Sequence, residues 1–352
     1  MSTADDITDR LRLALQAAGH PGAAGVLERL RDKGLAHDHV RIVGTGSLAR
    51  MPKQSQMGLG ALDNLAYQRA CFERAAAGGH TPALLGWLPP SPHLPRGALL
   101  VHEVVGRAAH LPADLGAIAT ALASLHALPL PEPAQRAPLL APPDPLRALC
   151  DEIAAQASHL ATAGLAPRVA RAIDIEWQRL QSLAAAAPRP PVRLIAFDGH
   201  PGNFIVRPDG RAMLVDLEKC RYAYPGLDLA HATLYTSTTW DLDTRAELTP
   251  AQVLVFYAAW ARAAGAAAEG ALAWHLPLRR AMWLWSVTWC AKWRATSGAR
   301  ASPVPDGEDW SGEHSEAALV AHVRERVDHY LSLSVVSWVR DEFATLEHLM
   351  DA

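Results

Sequence analysis

Residues 194–231 read LIAFDGHPGNFIVRPDGRAMLVDLEKCRYAYPGLDLAH. Pro190-Pro191 closes an alanine-rich stretch, and Val192 to Phe197 then predicts a strand. Asp198 to Asn203 is a tight loop, Phe204 to Pro208 a second strand, Asp209-Gly210 a hairpin turn, and Ala212 to Glu218 the returning strand. This punctuation puts Asp198 at a strand end, Asn203 across a loop containing glycine and proline, and Asp216 at the end of the hairpin. Strand ends joined by tight turns hold polar side chains in fixed directions. Two carboxylates and one amide oxygen so placed are hard ligands, suited to magnesium rather than zinc or copper. Phosphoryl transfer needs that inventory: a carboxylate for the attacking hydroxyl, and oxygens for the metal that bridges the phosphates. Positioning and charge neutralisation supply most of the rate, so the groups must be rigidly held.

Upstream, Asp5 to about Lys33 reads as helical, with Ile7, Leu11, Leu15, Val26, Leu27 and Leu30 at helix-like spacing around a break at Gly19-His20-Pro21-Gly22. HVRIVGTGSLARMPK (39–53) predicts a β-hairpin turning at Gly44-Thr45-Gly46. Asn64 to Ala77 predicts a helix, Ala98 to Val105 a short strand and Ala113 to Leu128 a helix. Leu146 to Ala187 is helical in two pieces divided near Gly164, and nearly everything after Pro250 is helical apart from a polar loop at 297–313. The expected class is α+β with two lobes. Residues 1–105 form a small β-containing N-terminal lobe, and 106–352 a larger, mostly helical one carrying the loop and hairpin of 194–218. The hinge falls near Glu103 to Gly106.

At 352 residues the chain can bury a sizeable core, and half of it is apolar. A net charge of -3 with interspersed signs excludes a nucleic-acid footprint. Cys71, Cys150, Cys220 and Cys290 lie far apart without zinc spacing and read as free thiols in a reducing compartment. The N-terminus is acidic without an apolar signal core, and no apolar run reaches the roughly 18 residues of a membrane span. A soluble cytoplasmic protein is expected, with no membrane partner.

The 196–230 block resembles the catalytic segment of the aminoglycoside phosphotransferase and choline kinase-like group, relatives of the protein kinases. Their pattern, roughly HGDxHPGN, then hhDWE and a downstream DLA, is matched here by AFDGHPGN, LVDLE and PGLDLA. The resemblance implies a protein kinase-like fold, ATP and magnesium as cofactors, and a small-molecule hydroxyl as acceptor. It makes Asp198 the base, Asn203 and Asp216 magnesium ligands, and Asp228 an aspartate that braces the catalytic loop. Read locally, Asp228 is also a helix N-cap. Ala196 replaces the family's usual histidine, generally a structural residue, and Phe197 stands where glycine is common. In the N-terminal half, Lys53 or Arg50 would contact the nucleotide phosphates, with Gln68 as helical partner and Glu73 as second choice. The backbone at Gly46 and Ser47 would cover phosphates, and Glu103 and Val105 would receive the adenine. ATP and GTP both remain open, as does the oligomeric state.

His200 reads as a loop residue bonded to the backbone rather than a metal ligand, since no second histidine or cysteine sits at ligand spacing. Glu218 falls on the same strand side as Asp216 and is a candidate to touch metal or acceptor. Trp285 and Trp289 share a helix face among six tryptophans in 260–293, which reads as core packing or as an aromatic wall. An acidic loop (Asp306, Glu308, Asp309, Glu313, Glu316) around Trp310 suits an amine. Both hints favour an amino alcohol or aminosugar. Competing readings are an inactive nucleotide-binding pseudokinase, motivated by Ala196 and Gln68, and a metal-dependent hydrolase using Asp198, His200 and Asp216.

Overall fold

The computed structural model describes residues 3–31, 34–186, 188–297 and 316–351. The acidic loop residues Asp306, Glu308, Asp309 and Glu313, with Trp310, lie outside them. The chain divides into two compact units. The first comprises Met1–Ala76, Pro82–Val104 and Ser297–Val323, the second Ala77–Thr81, Val105–Thr296 and Arg324–Ala352.

The first unit is built on helix α1 (Thr3–Ala17) and a five-stranded antiparallel sheet of β1 (Leu27–Arg29), β2 (His37–Ile42), β3 (Ser47–Pro52), β4 (Leu84–Leu88) and β5 (Ala98–His102), in the order β1-β2-β3-β5-β4. Ile7, Leu11, Ala14 and Leu15 recur at helical spacing, so α1 has one apolar face. That face packs with Val40, Ile42, Ala49, Met51, Ala98 and Leu100 of the sheet. Helix α2 (Ala61–Ala75) completes the unit's regular structure before β4.

Two segments differ from the sequence expectation. Leu27–Arg29 is a strand and not the continuation of a helix: Leu27 pairs with Ile42, and Glu28 and Arg29 form ion pairs with Arg41 and Asp38 of β2. Three apolar positions flanking a Gly-Pro break carry too little periodicity to outweigh an available sheet edge. Strand β4 was hidden because LLGWL has no polar residue to alternate with its apolar ones, although its burial alternates along the strand.

The second unit is mostly helical: α3 (Leu115–His126), α4 (Pro145–Ala157), α5 (Pro167–Ala185), α6 (Pro225–Thr233), α7 (Tyr235–Thr238), α8 (Pro250–Ala264), α9 (His275–Thr296) and α11 (Leu333–Asp351), with α10 (Ala317–Tyr330) beginning in the first unit. Inserted are two small sheets. One is β6-β8-β9 (Arg107–Ala108, Phe204–Val206, Ala212–Leu214). The other pairs β7 (Arg193–Ile195) with β10 (Arg221–Ala223). The returning strand of the hairpin is shorter than expected and stops at Leu214, so Asp216 and Glu218 sit in the turn that follows it. β10 escaped the sequence reading because it contains Arg221, a buried charge that ordinarily argues against a strand interior. Arg221 is accommodated by an ion pair with Glu152 and by stacking 3.6 Å from the Phe197 ring centroid.

Helix α9 is the hub. It packs against α4, α5, α6 and α11. Fully buried Arg279 of α9 joins two of these helices, through Glu342 at 2.9 Å on α11 and Thr233 Oγ1 at 2.8 Å on α6. The four cysteines are free, with Cys71, Cys220 and Cys290 buried and Cys150 half-buried. Among the described residues no helix is long and apolar enough to cross a membrane.

Candidate active site

β7 ends at Ile195, and the chain then makes a turn fixed by helix α6. Asp228, fully buried, accepts hydrogen bonds from the N–H groups of Ala196 (2.7 Å, Oδ2) and Phe197 (2.7 Å, Oδ1). Its Oδ2 also lies 3.0 Å from His126 Nε2 on α3. Trp260 of α8 donates its indole N–H to His126 Nδ1 at 2.9 Å. An indole N–H can only donate, so Nδ1 is the acceptor and Nε2 carries the proton that goes to Asp228. Three helices thereby clamp one loop.

Phe197 is the only non-glycine residue with positive φ (62°) among the described residues. That conformation costs an ordinary residue roughly 1–2 kcal/mol. Its N–H is held by Asp228, its carbonyl faces His231 Nδ1 at 3.3 Å, and its ring packs edge-on to Trp285, 5.3 Å between centroids. The departure from glycine is thus carried by burial, and the missing histidine at Ala196 is answered by His126 and His231, which brace the same loop from α3 and α6.

The turn aims Asp198 at a cluster of charged groups. Lys219 Nζ donates to Asp198 Oδ2 at 2.7 Å, and His231 Nδ1 lies 3.6 Å from Oδ1, beyond hydrogen-bond length. Burial alone would raise the Asp198 carboxyl, but Lys219, with His200 and His231, holds it below the usual carboxylate range. Burial likewise works to lower the Lys219 ammonium, yet Asp198, Glu218 and Asp216 keep it raised. The two groups are therefore a fixed ion pair.

Asn203 donates its side-chain amide to the Asp198 carbonyl at 2.8 Å, which leaves Oδ1 as its ligand-capable atom. Its own carbonyl accepts from Val215 N–H at 2.9 Å, so Asp216 follows directly from a residue tied to Asn203. A Cβ at 202 would stand 2.9 Å from Asp241 Oδ2 and 2.8 Å from His200 Cε1, so a larger residue there must displace those side chains. His200 behaves as the sequence suggested: its Nδ1 accepts from Gly202 N–H and caps the short turn Pro201–Asn203. Among the described residues no three His, Cys, Asp or Glu side chains are placed to hold a metal, so Asp198, His200 and Asp216 do not form the hydrolase centre considered above. Glu218 is buried beside this cluster.

Burial holds His231 neutral, down to about 4, and does the same to His275, whose two ring nitrogens are buried without a hydrogen-bond partner. An unfolded histidine takes up its proton near pH 6.5 and these two only near 4, so stability present above 6.5 is lost as the pH falls through that window. The limit is roughly 3 kcal/mol for each. Denaturant midpoints are expected to drop between pH 7 and 4.5. His275→Phe, which keeps a ring against Tyr257 and Trp260, should flatten that drop. An unchanged slope in the variant refutes the assignment.

In the first unit, Lys53 Nζ lies 3.7 Å from Asp38, just past the end of β3, and Arg50 is buried 5.6 Å from the Phe72 ring centroid. Gln68 is buried with its side chain 3.1 Å from His37 Nε2. Glu73, the second choice, is instead exposed and paired with Arg69 along the helix surface. In the glycine turn, Thr45 N–H bonds to the Ile42 carbonyl and Ser47 N–H to Thr45 Oγ1, so both are spent on the turn itself. Gly46 takes φ 67° and its carbonyl accepts Glu103 N–H at 2.8 Å. Glu103 also binds Arg41, and Val105 is 73% exposed.

A family model for the phosphotransferase enzyme family (APH) matches residues 61–274, more than half of the chain, including Asp198, Asn203, Asp216 and Asp228. The chain belongs to this family. The match begins at α2 and ends before α9, so this APH member's β2–β3 hairpin and its Trp285 and Trp289 fall outside it. Among solved structures, a choline/ethanolamine kinase family protein from Mesorhizobium loti is 19% identical, with a TM-score of 0.56 over 95% of this chain and 99% of that one. Aminoglycoside 2′-phosphotransferase-IIIa in its GDP complex is 15% identical, with a TM-score of 0.60 over 94% and 99%. A choline kinase from Cryptosporidium parvum is 12% identical, with a TM-score of 0.59 over 98% and 100%. These likenesses establish the kinase-like fold of this APH phosphotransferase. No curated sequence matches the chain.

Sequence reasoning missed Lys219, His231, His126 and the Arg221–Glu152 pair. One signal was available for Lys219: lysine occurs only four times (Lys33, Lys53, Lys219, Lys292) among 33 basic residues, so each choice of lysine over arginine is informative. His231 lies three residues after Asp228 and hence on the same helix face.

Proposed function

We propose that this APH phosphotransferase transfers the γ-phosphoryl group of ATP, with magnesium, to a hydroxyl of a small polar metabolite in the cytoplasm. Asp198 serves as base, and Asn203 and Asp216 supply the protein's metal ligands. The observation that carries the reading is the Asp198–Asn203 loop, where the base's own carbonyl orients the Asn203 amide and Asn203's carbonyl ties down the residue before Asp216. One amide oxygen and one carboxylate are the hard donors that a magnesium ion completes with phosphate oxygens and water. Bound there, the ion would neutralise charge on the nucleotide phosphates. Lys219 fixes Oδ2 of Asp198, so Oδ1 is the oxygen that takes the acceptor's proton. Asp228, His200 and Glu218 support this loop and hairpin. Lys53 or Arg50, with Gln68 as partner, the Gly46 backbone, Glu103 and Val105 are the proposed nucleotide contacts; Ser47 N–H, bonded to Thr45 Oγ1, is not among them.

The acceptor class we favour is an amino alcohol or aminosugar. Trp285 and Trp289 are the half-buried tryptophans of α9, whereas Trp283 and Trp293 are buried. Trp289 meets Trp240 edge-on at 5.8 Å, and Trp285 N–H bonds to Glu152 at 3.2 Å. Aromatic faces beside a carboxylate suit a cation.

A thermal-shift series with a non-hydrolysable ATP analogue, with and without magnesium, tests the reading. The wild type should gain about 3 kcal/mol at a hundredfold excess over Kd, and only with the metal. Asp216→Asn should lose that gain. Equal stabilisation of the variant, or stabilisation without metal, removes Asp216 from the role.

A further inference from the structure

The feature that the phosphoryl-transfer reading leaves unexplained is Lys219. Its side chain is half-buried, with Leu217, Glu218 and Cys220 buried on either side and the Cys220 N–H bonded back to the Leu217 carbonyl. The backbone that carries the ammonium is therefore fixed by a tight turn immediately before β10. Nζ lies 2.7 Å from Asp198 Oδ2 and 5.9 Å from the Trp285 ring centroid. An ammonium has three N–H donors, and Asp198 engages one of them at that distance. Asp198, Asp216 and Glu218 all act on the same ammonium.

Carboxylates that act on one ammonium would also repel the oxygens of an incoming phosphoryl group. A fixed cation among them removes much of that repulsion. It also engages Oδ2 of Asp198 and so leaves Oδ1 of the same carboxylate to the acceptor hydroxyl. The backbone just before Asp198 does not need the lysine as a brace, because Asp228, backed by His126, and His231 already hold residues 196 and 197.

We propose that Lys219 is a catalytic residue of this site, donating a hydrogen bond to the phosphoryl group during transfer while its contact with Asp198 fixes the base. This rests on the kinase reading above. The acceptor oxygen bonds to the γ-phosphorus as the bond from that phosphorus to the β–γ bridging oxygen breaks. The bridging oxygen leaves with the electron pair on the nucleoside diphosphate. The hydroxyl proton passes to Asp198 Oδ1, and Lys219 keeps all its protons throughout.

The test compares binding of magnesium–ADP with binding of magnesium–ADP plus aluminium fluoride, a mimic of the phosphoryl group in flight, by calorimetry. Lys219→Met should leave ADP affinity near that of the wild type but forfeit about 10²-fold of the extra affinity that aluminium fluoride confers. Lys219→Arg should recover part of it. Basal ATP hydrolysis, with water as acceptor, should fall in parallel. If Lys219→Met folds poorly, Lys219→Gln, which keeps a donor and removes the charge, carries the same expectation. The proposal is overturned if the aluminium fluoride increment survives in the variants, if ADP and its fluoride complex weaken equally, or if hydrolysis rises, which would make Lys219 a mask on the base. A wild-type protein that binds no magnesium–ADP sinks the kinase reading itself, a result distinct from any of these.

Discussion

Asp198→Asn is expected to reduce phosphoryl transfer by about 10²- to 10⁴-fold with nucleotide affinity unchanged. The substitution preserves shape. The amide oxygen of the new side chain can still accept from Lys219 Nζ, and the Asp198 carbonyl that orients Asn203 belongs to the main chain. The loop geometry and the metal ligands should therefore survive. What disappears is the carboxylate oxygen near His231, the one group in the loop able to take a proton from an acceptor hydroxyl. Asp216 and Glu218 remain to compensate the Lys219 charge, so unfolding should not confuse the result. Initial rates with an acceptor, read beside calorimetric nucleotide affinity, separate the two effects. Wild-type turnover in the variant would remove Asp198 from the role of base.

The same residues show what a sequence can and cannot disclose. The positions of Asp198 and Asn203 were legible because their placement is local, a strand end and a tight loop, whereas Asp216 falls in the turn after a strand shorter than expected. Lys219 was not legible, although it is three residues from Asp216. Its significance is a contact with a residue 21 positions back, made only when β10 pairs with β7. His126 and Trp260 are 134 residues apart, and their bond depends on α3 packing against α8. Nothing in either helix's periodicity distinguishes a buried histidine that caps a network from one that fills space. The strands failed for a different reason. β4 is apolar or glycine throughout and so shows no alternation in sequence, and β10 carries a buried arginine whose counter-charge, Glu152, comes from a distant helix. Pattern reading registers side-chain direction and misses partners supplied by tertiary packing.

Ala196 and Phe197 put these two kinds of information together. By sequence they are departures that weaken the family pattern. In the structure, the backbone N–H of each is a donor to Asp228, a bond that depends on no particular side chain. The family's loop can thus lose its histidine and glycine provided that the acceptor beneath it stays.

Asp228→Asn is for that reason expected to destabilise the fold by several kcal/mol, because it removes a charged acceptor of three buried hydrogen bonds, each worth about 1.5–3 kcal/mol. Both carboxylate oxygens accept: Oδ2 from Ala196 N–H and His126, Oδ1 from Phe197 N–H. Whichever way an asparagine is turned, its NH₂ group meets at least one of these donors, leaving a buried N–H unsatisfied at about 1–3 kcal/mol. The strained backbone of Phe197 loses an anchor at the same time. Trp260→Phe removes only the outermost donor of the chain and should cost less, because His126 keeps its bond to Asp228. Glu73→Gln, in an exposed pair on α2, serves as the surface control and should change little. Urea unfolding followed by tryptophan fluorescence gives all three values. If Asp228→Asn unfolds at the wild-type midpoint, the catalytic loop is held by something other than the clamp formed by α3, α6 and α8.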